Sequence, residues 1–84
     1  MPWFDYLWLE GKDGNIAHIA EHGLTADDVE YAFEHYLSER MSESSGRPMR
    51  FGFTPDGRYV AVVFEWLDSV TVYPVTAYEV EVWL

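Results

Sequence analysis

The chain contains no cysteine, which excludes disulfide bonds, cysteine-ligated zinc sites and thiol nucleophiles. Basic residues are also scarce: five lysines and arginines stand against 15 aspartates and glutamates, so the formal net charge at pH 7 is −10. Such a charge argues against non-specific binding to nucleic acid or to anionic lipid, because both need a basic surface. No apolar run approaches the ~20 residues that span a bilayer, and the N-terminus meets Asp5 with no basic region before it, unlike a signal peptide. We therefore expect a soluble, cytoplasmic protein without membrane contacts.

The 84 residues have room for a single domain, residues 1–84. A chain this short buries only roughly 60–65% of its unfolded surface, so its core needs large side chains. Five Phe, six Tyr and four Trp meet that need. The four tryptophans are Trp3, Trp8, Trp66 and Trp83. They are too many for one small core, so some should be exposed. An exposed tryptophan would either anchor an interface or cover the edge of a thin core.

The hydrophobic pattern predicts an α+β fold with one strand, then two helices, then a three-stranded antiparallel meander. The predicted bounds are 3–9 for the first strand, 15–22 and 26–39 for the helices, 42–46 for a polar loop, 49–54, 58–66 and 70–77 for the meander, and 80–84 for a short further strand. Asp56 and Gly57 after a proline predict the first turn of the meander. Pro74 cannot donate to a ladder, so the last strand should lie at an edge or carry a bulge there.

The two helices have recognisable ends. Gly23 is suited to the left-handed cap that closes the first helix. Thr25, with Asp28 three residues later, predicts a capping box at the start of the second helix. The second helix has one apolar face, which should pack against one side of the sheet and leave the other side free; its residues are Val29, Ala32, Phe33, Tyr36 and Leu37.

The charge is unevenly distributed. Residues 1–46 hold ten acids and two bases, whereas residues 47–84 hold five acids and three bases. Those three bases are Arg47, Arg50 and Arg58, which flank one predicted hairpin. Guanidinium groups bind phosphate well, so this cluster is the candidate phosphate site. The alternative is that they are solvated edge residues that balance nearby acids.

The run of residues 15–25 (NIAHIAEHGLT), followed by an acidic helix, resembles the opening of BrnT-type toxins. Residues 52–54 (GFT), residues 56–58 (DGR) before a valine-rich strand, and a strand that ends at residues 75–77 (VTA) also resemble that family. The resemblance covers nearly the whole chain in order. It implies a RelE-like fold and a ribonuclease toxin of a type II toxin–antitoxin pair, neutralised by an antitoxin partner.

Cleavage of RNA through its 2′-hydroxyl needs a base, an acid and a cation. In the ribonuclease hypothesis Arg58 and Arg50 bind phosphate, and Glu65 with Tyr78 or His22 transfers protons. Glu65 falls within an apolar strand, where a carboxylate is either partly buried or at the wet end of the strand.

Two histidines, His18 and His22, lie four residues apart, a spacing that can bring two imidazoles to one metal. No third ligand is evident, so we expect no metal and no other cofactor. A simpler interpretation of His22 is a residue at the end of a helix, where partial positive charge is favourable.

The sequence departs from the BrnT pattern where that family is basic. Glu21 stands in place of a lysine, and Tyr73 and Tyr78 stand in place of basic residues in the last strand. A second hypothesis therefore stays open: a non-catalytic interaction module on the same fold, which binds a basic protein through its acidic helical half and its exposed aromatic residues. RNA is a possible partner only in the first hypothesis.

Overall fold

The computed structural model describes residues 4–81, which form two helices and five strands. In chain order these are β1 (Asp5–Tyr6), α1 (Asn15–Ala20), α2 (Ala26–Glu34), β2 (Ser38–Met41), β3 (Pro48–Phe53), β4 (Tyr59–Trp66) and β5 (Thr71–Glu79). The strands form one mixed sheet in the order β1-β5-β4-β3-β2, in which β1 is parallel to β5 and the other neighbours are antiparallel. The predicted α+β class is confirmed. Trp3, Trp83 and residues 82–84 of the predicted further strand lie outside the described residues.

The second helix begins as predicted but ends five residues early. The Thr25 hydroxyl accepts a hydrogen bond from the backbone N–H of Asp28, whose carboxylate accepts one from the N–H of Thr25, so the capping box is present. The helix stops at Glu34 because the chain then turns into the sheet, where the N–H of Leu37 donates to the carbonyl oxygen of Phe51 at 2.7 Å. The prediction of a helix over 26–39 is therefore wrong in its last turn.

Strand β2 is absent from the sequence-based prediction, which assigned residues up to 39 to a helix and 42–46 to a loop. It pairs with β3, with Ser38 opposite Phe51 and Arg40 opposite Met49. With β2 included, four consecutive strands of the sheet are antiparallel in place of the predicted three. All four side chains of β2 are exposed. The strand exists because β3 supplies its hydrogen-bond partners, not because its own residues bury an apolar face.

The first strand and first helix are shorter than predicted. Only Asp5 and Tyr6 pair with β5, and α1 ends at Ala20. After Tyr6 the backbone bonds to a side chain as well as to the neighbouring strand. The Asn15 amide nitrogen donates to the carbonyl of Leu7, and its oxygen accepts from the N–H of Leu9. The expected left-handed cap is present, since Gly23 has a φ of 76°.

The meander β3-β4-β5 agrees with its predicted bounds to within two residues. Gly57 has a φ of 89° in the first turn, where the N–H of Thr54 donates to the carbonyl of Arg58. Pro74 lies at a bulge: the register shifts so that Val63 faces Thr76 while the next residue faces Pro74. The bulge that the proline predicted is thus confirmed, although β1 makes β5 an interior strand at its first two residues.

The sheet has two different faces. The helix face carries the main core, in which Val60, Val62 and Phe64 of β4 pack against Ile19, Leu24, Val29, Ala32 and Phe33, all at most 3% exposed. The α2 helix approaches so closely that a Cβ atom on Gly52 would lie 2.6 Å from the carbonyl oxygen of Ala32.

The other side, called the open face below, carries a second cluster formed by Met49, Phe51, Ala61 and Val63. Neither helix of the described chain covers it. The two helices therefore pack on one side of the sheet, as expected, and no helix within residues 4–81 is long and apolar enough to cross a membrane.

Candidate functional site

Arg58 joins the first turn of the meander to α2 and to the segment that connects α1 with α2. Its Nε donates to the two carboxylate oxygens of Asp56 at 3.2 and 3.0 Å, its Nη1 to the carbonyl of Gly23 at 2.8 Å, and its Nη2 to Asp28 at 3.2 Å. The hydrogen bond with Asp56 raises the pKa of Arg58 above its ordinary value. The Thr54 hydroxyl, and then Arg58, hold the pKa of Asp56 below its ordinary value. Two carboxylates therefore neutralise this guanidinium, and its main visible role is to fasten the turn to the helices.

Two further predicted site residues, His22 and Tyr78, lie against each other. The rings of His22 and Tyr78 have centroids 6.1 Å apart with their planes tilted by 56°. His22 is exposed and directly precedes Gly23, whose carbonyl accepts the Arg58 hydrogen bond. His22 thus contacts Tyr78 and lies one residue from the carbonyl that Arg58 binds, at a corner of the sheet that we call the Arg58 corner. Tyr78 itself pairs with Ala61 and packs with the cluster on the open face.

The surroundings of the Arg58 corner are acidic. An open depression of about 690 Å³ lies against Arg58, and its walls include the carboxylates of Glu79 and Glu81. With Asp28 and Asp56 also in contact with the guanidinium, acids outnumber the one arginine. A phosphate group would meet repulsion here as well as attraction.

Glu65 lies far from this corner. It is seven residues along β4 from Arg58, which corresponds to about 23 Å at the usual rise of a strand. Its carboxylate pairs with the Nε of Arg47 at 3.3 Å, both side chains are more than 40% exposed, and Tyr73 lies directly opposite on β5. The structure therefore places Glu65 in a surface ion pair, at the wet end of its strand, and not beside the arginine it would need for catalysis.

Arg50 and Arg47 lie on opposite faces of the sheet. Arg50 projects from the helix face and its side chain is only 12% exposed. Its guanidinium lies 3.9 Å from the ring centroid of Tyr36 and 4.2 Å from that of Phe33, and it donates to Glu39 at 2.7 Å. Two further aromatic rings, those of Phe64 and Trp66, lie within 6 Å of it. This arginine is held as a structural cation, and the structure does not bring it to a common anion site with Arg47.

Arg50 and Arg58 also stay apart. Arg50 donates to the carbonyl of Phe33 near the end of α2, whereas Arg58 binds Asp28 in its first turn. The three arginines that are close in sequence thus lie in three separate places. Arg47 lies on the open face, Arg50 near the end of α2 and Arg58 near the start of α2.

His18 in α1 and His22 just after it are both exposed. Residues 4–81 contain no group of three histidine, aspartate or glutamate side chains that could hold a metal ion.

Sequence reasoning missed two residues that the structure makes important. Asn15 is 1% exposed and bonds three backbone groups. Arg40 projects onto the open face, with its guanidinium 4.8 Å from the centroid of the Phe51 ring. An asparagine at the start of a predicted helix reads as an ordinary cap, and Arg40 sits in a segment without apolar alternation, so neither carried a signal.

Comparison with known proteins adds no relative: no family model, no curated protein and no solved structure matches this chain.

Proposed function

We propose that this chain is a non-catalytic interaction module that binds a basic protein through the acidic side of its helices. The observation that carries the proposal is that most arginines are paired with carboxylates of the chain, whereas many carboxylates are exposed and unpaired among the described residues. Three of the four arginines are neutralised by carboxylates of the chain itself. Most of the acidic excess of the helical half is left at the surface for a partner.

The acids that flank the connection between α1 and α2 illustrate this. Glu21 follows α1 and Asp27 lies in the first turn of α2; both are exposed, and neither forms an ion pair with another described residue. Tyr31 lies one turn after Asp27 on the same side of α2 and is 41% exposed. An exposed tyrosine beside carboxylates is a typical anchor for a basic partner.

Not all helical acids are available in this way. Glu30 accepts a hydrogen bond from Trp8 at 2.8 Å, and Glu34 accepts one from Tyr6 at 2.7 Å. These two carboxylates fasten the first strand segment to α2. The partner surface is therefore centred on Glu21 and Asp27 and not on the whole acidic helix.

The test is affinity purification from the native host with two matched variants. Glu21→Gln with Asp27→Asn removes two charges from the proposed surface, and Glu43→Gln with Glu81→Gln removes two exposed charges elsewhere. A basic protein that is retained by the wild type and by the second variant, but lost from the first, supports the proposal. Equal retention by both variants, or no protein retained by the wild type, contradicts it.

A second candidate function, RNA cleavage by a BrnT-like toxin, is favoured by one observation. At the Arg58 corner the His22 imidazole and the Tyr78 phenol have ring centroids 6.1 Å apart, and Arg58 binds the carbonyl of Gly23, the residue after His22. A histidine and a tyrosine are suitable groups for proton transfer, and the arginine could stabilise charge on a phosphorane-like transition state.

The RNA candidate requires variants that keep the fold. Arg58→Ala removes contacts to α2 and to the segment before it, so His22→Asn and Tyr78→Phe are the informative changes. Cleavage of a labelled single-stranded RNA by the wild type, reduced at least tenfold in each variant, supports this candidate. RNA that stays intact with the wild-type protein contradicts it and leaves the interaction module as the single candidate.

A further inference from the structure

A second cavity lies on the open face, on the opposite side of the sheet from the helices, and shares Tyr59, Val80 and Glu81 with the depression beside Arg58. Its volume is about 390 Å³, within the usual range for sites of small molecules. The residues around it are Ser38, Arg40, Phe51, Tyr59, Val80 and Glu81.

The apolar part of the cavity wall is built from packed rings. Phe51 is 7% exposed, and its ring stacks with that of Tyr59 at 27° between planes and 6.2 Å between centroids. Val80 packs against the same cluster, and its N–H continues the ladder by donating to the carbonyl of Tyr59. Tyr59 is the more exposed of the two rings and offers an apolar surface to an aromatic ring of a ligand.

The polar part of the wall contains a cation that forms no ion pair within residues 4–81. Arg40 is the one arginine that forms no ion pair with any residue of the described chain. Its guanidinium lies over the Phe51 ring, 4.8 Å from the centroid. Stacking occupies a face of the guanidinium and leaves its N–H edge for a planar anion, which it can bind through two hydrogen bonds. The hydroxyl of Ser38 can add another donor at the same end.

We propose that this cavity binds a small aromatic anion, namely one flat ring that carries a carboxylate or a phosphate. The ring packs on Phe51 and Tyr59, and the anionic group meets Arg40 and Ser38. Glu81 is the carboxylate in the wall and repels a second negative charge, so the anion is held at the Arg40 end. This site is independent of the proposed protein partner, because it lies on the opposite side of the sheet from the helices.

The experiment is a titration of the ¹⁵N-labelled protein followed by two-dimensional NMR. The probes are benzoate, phenyl phosphate and neutral benzamide, each at constant ionic strength. We expect benzoate or phenyl phosphate to shift the amide signals of Ser38, Arg40, Phe51 and Tyr59, and benzamide to bind at least fivefold more weakly. The benzoate and phenyl phosphate arms show which of the two anionic groups the site prefers.

Two variants make the test specific. Arg40→Gln should weaken binding of the preferred anion at least tenfold, whereas Arg47→Gln, a matched change on the same face, should leave it within twofold. Glu81→Gln should strengthen binding, because it removes the repelling charge. The spectrum of each free variant reports whether the fold is kept.

Several results would overturn the proposal. Equal binding of benzamide and benzoate would show that the cation is not used, and wild-type affinity in Arg40→Gln would show the same. Shifts confined to Glu43 and Ser44, which line a neighbouring cavity of about 410 Å³, would place the ligand elsewhere. No shift with either anion at millimolar concentration would show that the cavity does not bind this class of ligand.

Discussion

The side-chain amide of Asn15 donates a hydrogen bond of 2.8 Å to the backbone carbonyl oxygen of Pro74, 59 residues later in the chain. The same amide nitrogen donates to the carbonyl of Leu7 at 2.9 Å, and the side-chain oxygen accepts from the N–H of Leu9 at 2.7 Å. One buried side chain thus replaces the neighbouring strand where β1 ends and β5 bulges. It joins the first strand, the first helix and the last strand.

Replacement of Asn15 by alanine should be strongly destabilising. It leaves the buried carbonyl of Pro74 without its partner and removes two part-buried hydrogen bonds with Leu7 and Leu9. An unsatisfied buried polar group alone costs about 1–3 kcal/mol. We expect a loss of about 3 kcal/mol in the free energy of unfolding, measured by urea denaturation. His18→Ala, an exposed position on the same helix, is the control and should change stability by less than about 0.5 kcal/mol. A similar small change in both variants would contradict the structural role of Asn15.

Arg50 should stabilise the protein through the aromatic rings around it. Arg50→Met keeps much of the apolar stem but removes the charge, and we expect a loss of about 1–2 kcal/mol. A double-mutant cycle with Tyr36→Leu should give a coupling energy of about 1 kcal/mol, because the guanidinium lies 3.9 Å from that ring. Tyr31→Leu, at a tyrosine of similar exposure within α2, is the control partner and should couple by less than about 0.3 kcal/mol. Equal coupling to both tyrosines would show that the arginine acts through general charge and not through the ring contact.

Local signals in the sequence were sufficient for much of the fold. The Thr25 capping box, the turn at Gly57 and the bulge at Pro74 each depend on residues within a few positions, and each is present in the structure. Strand β2 could not be found in this way, because its four exposed side chains carry no apolar alternation and its strand geometry depends on β3.

The candidate site was less predictable because closeness in sequence is not closeness on a sheet. Arg47 and Arg50 are three residues apart, and an odd spacing along an extended chain puts two side chains on opposite faces. Arg58 and Glu65 are seven apart, so they also lie at opposite ends of β4. The period of two separates Arg47 from Arg50, and the length of the strand separates Arg58 from Glu65. The meeting of His22 with Tyr78 depends on how α1 packs against β5 and has no signal in the sequence.

Acid should weaken the protein partly through Asp68. Its carboxylate accepts hydrogen bonds from the N–H groups of Val70 and Thr71 and from the Thr71 hydroxyl, and the bond from Val70 is the largest cause of a pKa below the ordinary value. A lowered pKa in the folded state stabilises the protein above the ordinary aspartate pKa of 3.8, and this contribution disappears as the pH falls through the lowered value.

The Asp68 effect is measured by urea denaturation of the wild type and Asp68→Asn at pH 6 and pH 2.5. We expect the wild type to be more stable than the variant at pH 6 and the difference to shrink at pH 2.5. Asp13→Asn, at an exposed loop position without an ion pair to a described residue, should show no such dependence. A difference that stays constant with pH would contradict the role of the ionised carboxylate.

Alkali should weaken the protein through Tyr6. Burial, and then the hydrogen bond from its hydroxyl to Glu34, raise the pKa of Tyr6 far above its ordinary value of 10.0. The unfolded chain therefore loses this proton near pH 10 while the folded chain keeps it, so the contribution of Tyr6 to stability is complete below pH 10 and is lost as the pH rises further.

We expect Tyr6→Phe to be less stable than the wild type at pH 7, because Glu34 loses its donor, and to close that gap at pH 11. Tyr31→Phe, at an exposed position, is the control and should leave the pH dependence unchanged. If the stability difference between Tyr6→Phe and the wild type were the same at both pH values, the hydroxyl of Tyr6 could not be the group whose proton the folded state retains.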